Sequence, residues 1–256
     1  MKTILLPALL LSAIFVHAQT DDSPILAPNL TDDFIQGSDG ANAVFNEGNL
    51  GGNFVVRQGD GTLEIVESDF QGKKALKFSP TAETSTESSL LPCLVYRKMP
   101  ESFPRGVTFQ TRIKPDPGWG LSQSEIISAR VSDRGTGLAL TYRPNAKFMD
   151  VVSGSGGVDG DTWGIISDKR TNVFPGEWTH VAAVYDAENK HYRLYVNGQL
   201  AVESNAGLDL TTMDRTLTIG TYRGGYAYPF RGEMTDIAVF DYPRTEEQIR
   251  ADADGK

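Results

Sequence analysis

The chain has 256 residues, a formal net charge of −9 and a hydrophobic content of 39%, enough apolar material for one large core. The acidic balance tells against nucleic acid and anionic membrane surfaces as partners. One cysteine, Cys93, excludes an intramolecular disulfide, so stability must come from packing, with or without a bound ion.

Taken in order, residues 1–18 read as a signal peptide. Lys2 supplies the charge, residues 4–16 the apolar stretch and Val16-His17-Ala18 the small-x-small cleavage site. The apolar run is short for a membrane span, and no second one follows. Loss of Lys2 with the signal leaves a formal charge of about −10. The expected location is therefore secreted, or periplasmic or cell-surface in a bacterium. Residues 19–30 are polar with two prolines and are expected to form a flexible leader; Asn29-Leu30-Thr31 is a glycosylation sequon, meaningful only in a eukaryote. The folded part is expected over residues 31–253.

Residues 37–52 look like a long glycine- and asparagine-rich loop. Strands are expected at 54–57, 63–66 and 75–79, followed by a Ser/Thr loop at 81–89. The alternating stretch 107–114 stops at Pro115-Asp116-Pro117-Gly118, and further strands are expected at 125–131, 137–142 and 148–152. Residues 154–164 form the longest loop. Strands at this regular spacing, with no helical pattern before the C-terminus, predict two packed antiparallel sheets.

Residues 175–203 predict three consecutive strands. Residues 178–185 are rich in β-branched and aromatic residues, and 186–190 form a polar turn. Next, Tyr192, Leu194 and Val196 alternate with Arg193, Tyr195 and Asn197. Asn197-Gly198 tolerates the positive φ angles of a type I′ hairpin turn, with 199–203 as the return strand. A last strand is expected at 233–240. Thr245-Glu246-Glu247-Gln248 makes a capping box for one short helix that stops by Ala253.

Four motifs in order, GEWTHVAAVYD, RLYVNGQLA, LTIG at 217–220 and FRGEMTDIAVFDYPRTEEQI at 230–249, make the chain resemble a laminin-G-like domain of the concanavalin A-like lectin/glucanase superfamily. The resemblance implies an all-β, jelly-roll sandwich of two antiparallel sheets with one short C-terminal helix. It does not imply one function, since lectins, hydrolases and adhesion modules share this scaffold.

Hydrolases of this superfamily place carboxylates at even spacing on one strand, as in E-x-D-x-x-E. Even spacing brings nucleophile and acid to one face. This chain has no such motif. Glu233 and Asp236, and likewise Glu64 and Glu67, are three apart and expected on opposite strand faces. His180 falls on the family's W-x-H position, where sheet packing explains it. Cys93, among apolar neighbours, reads as a small buried hydrophobe. No catalytic residue is assigned.

The resemblance also implies a structural calcium ion, held by Asp236 in the last strand and an acidic partner near the N-terminus, here Asp33. The competing reading pairs Asp236 with Arg231 or with backbone donors. Asp159-Gly160-Asp161 lacks the remaining ligands of a calcium loop and reads as a turn. Carbohydrate binding calls for aromatic faces beside a few polar groups. The candidates are Tyr222, Arg223, Tyr226 and Tyr228 in one loop, together with Trp119 and Trp163, each flanked by glycine. The leading expectation is a recognition module for carbohydrate or a glycoconjugate. Its rivals are a glycoside hydrolase or polysaccharide lyase and a purely structural envelope or matrix module.

Overall fold

The computed structural model describes residues 22–31, 33–37, 41–86, 89–130, 136–155, 163–167, 171–205, 210 and 213–255. The signal segment 1–18 and Asp159-Gly160-Asp161 lie outside them. Its strands in chain order are β1 (Ile35–Gln36), β2 (Asn42–Phe45), β3 (Asn53–Arg57), β4 (Gly61–Glu67), β5 (Lys74–Pro80), β6 (Cys93–Tyr96), β7 (Gly106–Pro115) and β8 (Ser124–Arg130). There follow β9 (Thr136–Arg143), β10 (Phe148–Ser155), β11 (Trp163–Ser167), β12 (Thr179–Asp186), β13 (His191–Val196), β14 (Gln199–Ser204), β15 (Leu217–Ile219) and β16 (Gly232–Phe240). Helix α1 (Glu246–Ala253) ends the fold, opened by the expected capping box between Thr245 and Gln248.

All strand pairs are antiparallel. Nine strands form one sheet in the order β1-β2-β3-β6-β15-β8-β9-β10-β11, and seven form the other, β14-β13-β12-β7-β16-β5-β4. The core lies between the two sheets. Tyr192, Leu194 and Val196 point into it, while Tyr195 faces outward with Ala182 and Val184, where Ile249 of α1 covers them. Strict alternation along a half-covered sheet accounts for both faces. The Asn197-Gly198 turn has φ of 48° and 73°. Gly198 is needed twice over, because a Cβ there would stand 3.0 Å from Ala253 of α1. The glycine of LTIG has a similar reason. Gly220 has φ +90°, and a Cβ would fall 2.2 Å from the ring of buried Phe78.

Several expectations are corrected by packing. Residues 22–30 are not a flexible leader. Ile25 and Leu26 enter the core, Ile25 N–H donates to the Val239 carbonyl, and Val239 N–H donates to Leu26. Asp22 Oδ1 accepts from Arg244 and Gln248 beside α1. The segment is a strap across β16. The expected loop 37–52 contains β2, and β6 and β11 complete the nine-stranded sheet. Cys93 lies on β6, fully buried, and burial pushes its thiol up to about 11.

Two bulges upset the alternation counted from sequence. In β8 the register shifts between Glu125 and Ile127, so Ile126 and Ile127 both enter the core. In β16 it shifts between Thr235 and Ala238, with Asp236 at φ 50°. Met234 and Val239 therefore share the core, whereas Ala238 and Phe240 pack outside it with Tyr242. Strict alternation along 233–240 would set Asp236 in one row with Met234, Ala238 and Phe240, and the bulge breaks that row. For the same reason Glu233 and Asp236 are not on opposite faces, since both reach the basic side chains outside β5 and β7.

Candidate functional site

The loop 220–228 lies over the outer face of the nine-stranded sheet. Gly224 N–H donates to Thr218 Oγ1 at 2.9 Å, and Arg57 donates to the Gly224 carbonyl at 2.8 Å. Thr84, Ser85 and Leu91 brace it, through a Thr84–Ala227 bridge and the Ser85 N–H to Tyr226 and Leu91 N–H to Gly225 bonds. Arg223 and Tyr228 sit at φ 52° and 54°, a left-handed conformation rare for bulky residues. Such outliers persist where surrounding contacts impose them.

The candidate aromatics divide into support and rim. Tyr222 is buried, with the Arg130 guanidinium 4.7 Å from its ring centre and the Tyr228 ring 6.0 Å away. It anchors the loop. Tyr226 is 59% exposed, and the exposed Arg223 reaches to within 6.0 Å of its ring. Trp119 comes to the same end of the sheet: its Nε1 donates to the Pro229 carbonyl, and Arg231 lies 5.4 Å from its ring. The Trp163 side chain lies outside the described residues. The structure thus joins Trp119 to the 222–228 loop and leaves Tyr226 and Arg223 as the exposed pair.

Beneath the loop runs a polar row that sequence reasoning missed. Cross-strand register sets Glu125 opposite Thr141 and Thr141 opposite Asp150. All three are buried on the outer side of the sheet. Arg130 pairs with Glu125 and Arg143 with Asp150. Counting along β8 separates Glu125 from Arg130 by an odd number of residues, so strict alternation assigns them opposite faces. The bulge reunites them.

The calcium expectation meets a different arrangement at Asp236. Its carboxylate accepts from Lys73 Nζ at 2.8 and 2.9 Å and from Arg112 Nε at 3.0 Å. Arg231, the partner considered from sequence, pairs with Asp116 instead. Asp33 is exposed and does not line the cavity at Asp236. Among the described residues no group of three or more His, Cys, Asp or Glu side chains assembles. These residues do not fit a calcium ion, because two cations already neutralise the carboxylate. Wild-type protein is expected to melt at the same temperature in excess calcium and in EDTA. Asp236→Asn should melt a few degrees lower in both, mainly through the charge-assisted bond to buried Arg112, worth about 1.5–3 kcal/mol, since the exposed Lys73 end adds little. A calcium-dependent rise in the wild-type melt, absent from Asp236→Asn, would restore the ion.

Among the described residues no helix is long and apolar enough to cross a membrane. No curated protein shows significant sequence similarity to the chain. Solved structures do resemble it in fold. The receptor binding domain of a botulinum neurotoxin C/D mosaic serotype superposes with a TM-score of 0.62 at 13% identity, over 92% of this chain and 52% of that one. The binding domain of botulinum neurotoxin serotype D gives 0.59 at 16% identity, over 92% and 52%. A native heptameric SAP-like pentraxin from Limulus polyphemus gives 0.50 at 20%, over 67% and 80%. The chain spans about half the length of the toxin domains. The laminin-G family described as the concanavalin A-like lectin/glucanases superfamily matches residues 98–250. That stretch runs from the approach to β7 into α1, and with the two-sheet sandwich around it, the chain belongs to the concanavalin A-like lectin/glucanase superfamily.

Proposed function

We propose that the chain is an exported, non-catalytic recognition module that holds a carbohydrate or a glycan-bearing surface at Tyr226 and Arg223. The observation that carries this reading is one large, well-exposed ring on a loop whose backbone is held in left-handed conformations on both sides of it. A ring fixed before binding loses little freedom when a sugar stacks on it. Arg223 supplies donors for hydroxyl or acidic groups at the ring's edge. Receptor-binding domains of botulinum neurotoxins share the sandwich, which accords with a recognition role. Export rests on the sequence of residues 1–18.

The test is a glycan-array screen followed by titration of the strongest ligand. Tyr226→Ala is expected to weaken binding about 5- to 150-fold, the equivalent of 1–3 kcal/mol, with the melt unchanged. Tyr222→Ala should instead lower the melt, because that ring is packed on Arg130. Full affinity in Tyr226→Ala would remove the rim from the account.

One observation favours a second reading, a glycoside hydrolase. Glu125 and Asp150 lie two strands apart on one face, about 9–10 Å between backbones, near the separation of an inverting carboxylate pair. Both carboxylates are held by arginines, so the recognition reading is preferred. Release of reducing ends from a polysaccharide, lost in Glu125→Gln, would reverse that preference.

A further inference from the structure

The opposite side of the sandwich carries a second hollow, between the outer face of the seven-stranded sheet and the end of α1. It has a volume of about 270 Å³ and is lined by Lys73, Gln110, His180, Asp236, Asp252 and Gly255 together with the apolar Ile237 and Ala238. A larger hollow of about 500 Å³, walled by the N-terminal strap, adjoins it at Lys73, Asp236 and Ile237. The bulge in β16 makes the junction, aiming Asp236 between the two from a left-handed backbone. Bulges recur where a side chain must be re-aimed at a site.

The charges on this wall answer one another. Asp236 is held by Lys73 and Arg112, and Asp252 Oδ2 accepts from Arg244 at 2.8 Å and from Gln110 Nε2 at 2.9 Å. Two groups are left over. His180 is 1% exposed, and neither ring nitrogen meets a hydrogen-bonding partner among the described residues. The Gln110 side-chain oxygen, on a residue 6% exposed, is in the same position. Buried polar groups of this kind are costly unless something completes them. The neutral imidazole offers one donor and one acceptor, and the amide oxygen a further acceptor. A hydroxyl both donates and accepts at one atom, so hydroxyls on adjacent carbons match this set, whereas a net charge would find no free counter-charge. The volume is several times that of one water, about 30 Å³.

We propose that this hollow is a binding site for a small uncharged polyol, with His180 and Gln110 as its recognition groups. It is separate from the Tyr226 rim, which lies over the other sheet, and does not depend on it. Ile237 and Ala238 give the ligand's C–H face an apolar wall, and Lys73, half exposed, stands at the mouth.

The experiment is a titration of the intact protein with myo-inositol and with D-glucose, read on the ¹⁵N resonances of the histidine rings. Sodium acetate is the charged control. His191, paired with Glu203 on the β13–β14 hairpin, is an internal reference. The expected result is a saturable shift of His180 alone with at least one polyol and none with acetate. Gln110→Met should weaken it at least tenfold, and His180→Phe, followed by tryptophan fluorescence, should abolish binding. Tyr226→Ala should leave the titration unchanged. If no probe shifts His180 up to about 100 mM, or if acetate does so equally, the hollow holds water only and the proposal fails. An unchanged affinity in Gln110→Met would overturn it as well, whether or not His180→Phe folds.

Discussion

Acidification from pH 7 to pH 4 is expected to destabilise the fold by about 3 kcal/mol through His180 alone. Burial pushes its imidazole from 6.5 down to about 4, with help from Arg112 and Arg244 and opposition from Asp236. The depressed value sets the sign. Between about 6.5 and 4 the unfolded chain takes up a proton that the folded chain refuses, so stability falls as pH falls. Above 6.5 neither state carries the proton, and below 4 both do, so the loss is confined to that window. A shift of this size, at 1.36 kcal/mol per unit, gives the stated magnitude. Carboxylates titrate over part of the same range, so the comparison must be with His180→Gln. Urea unfolding at pH 7 and pH 4 should show the wild type losing about 3 kcal/mol more than this variant. Parallel losses in the two proteins would show that His180 is protonated in the fold.

Arg112→Met is expected to be the most damaging single change outside the core, at about 3–5 kcal/mol. Arg112 lies on β7, 5% exposed, opposite His180 of β12 and Thr235 of β16. Its Nε donates to Asp236, its Nη2 donates to the carbonyls of Asp252 and Ala253 at the end of α1, and its guanidinium stacks 4.5 Å from the ring centre of Phe70. Methionine fills much of the volume but takes the guanidinium donor from the Ala253 carbonyl, leaves the Asp252 carbonyl with Gly255 N–H alone, and leaves Asp236 with Lys73 as its remaining cation. The corresponding fall in melting temperature is on the order of 10 °C for a domain of this size. Lys73→Met, at the exposed end of the same network, should cost no more than about 1 kcal/mol. The His180 imidazole should also titrate higher in Arg112→Met, since one of the charges that lowers it is gone. Equal melts for Arg112→Met and Lys73→Met would refute this division of labour.

Much of the fold was legible along the chain. The β12–β14 meander, its Asn197-Gly198 turn, the last strand and the capping box of α1 all appear where their residues place them. Each depends on neighbours a few positions away: alternation, turn conformation and a side chain bonding the backbone three residues on. β2, β6 and β11 escaped because their identity depends on partners elsewhere. Glycines around β2 read as loop, and β6 is four apolar residues that gain strand character only between β3 and β15.

The site divides along the same line. Sequence by itself determined the superfamily, the two-sheet architecture, the absence of a disulfide and the loop 222–228 as a concentration of rings. It could not decide which ring is support and which is rim, because that depends on Arg130 rising from another strand beneath Tyr222. Nor could it place Glu125 with Arg130, Glu233 with Asp236, or His180 with Gln110. A period of two predicts faces only while the register holds. The bulges in β8 and β16 broke it there, and only the paired sheets decide where a bulge falls. Tertiary structure alone brought Arg112, Asp236 and the end of α1 together over His180, since a charge network is set by distance in space and these residues are far apart in the chain.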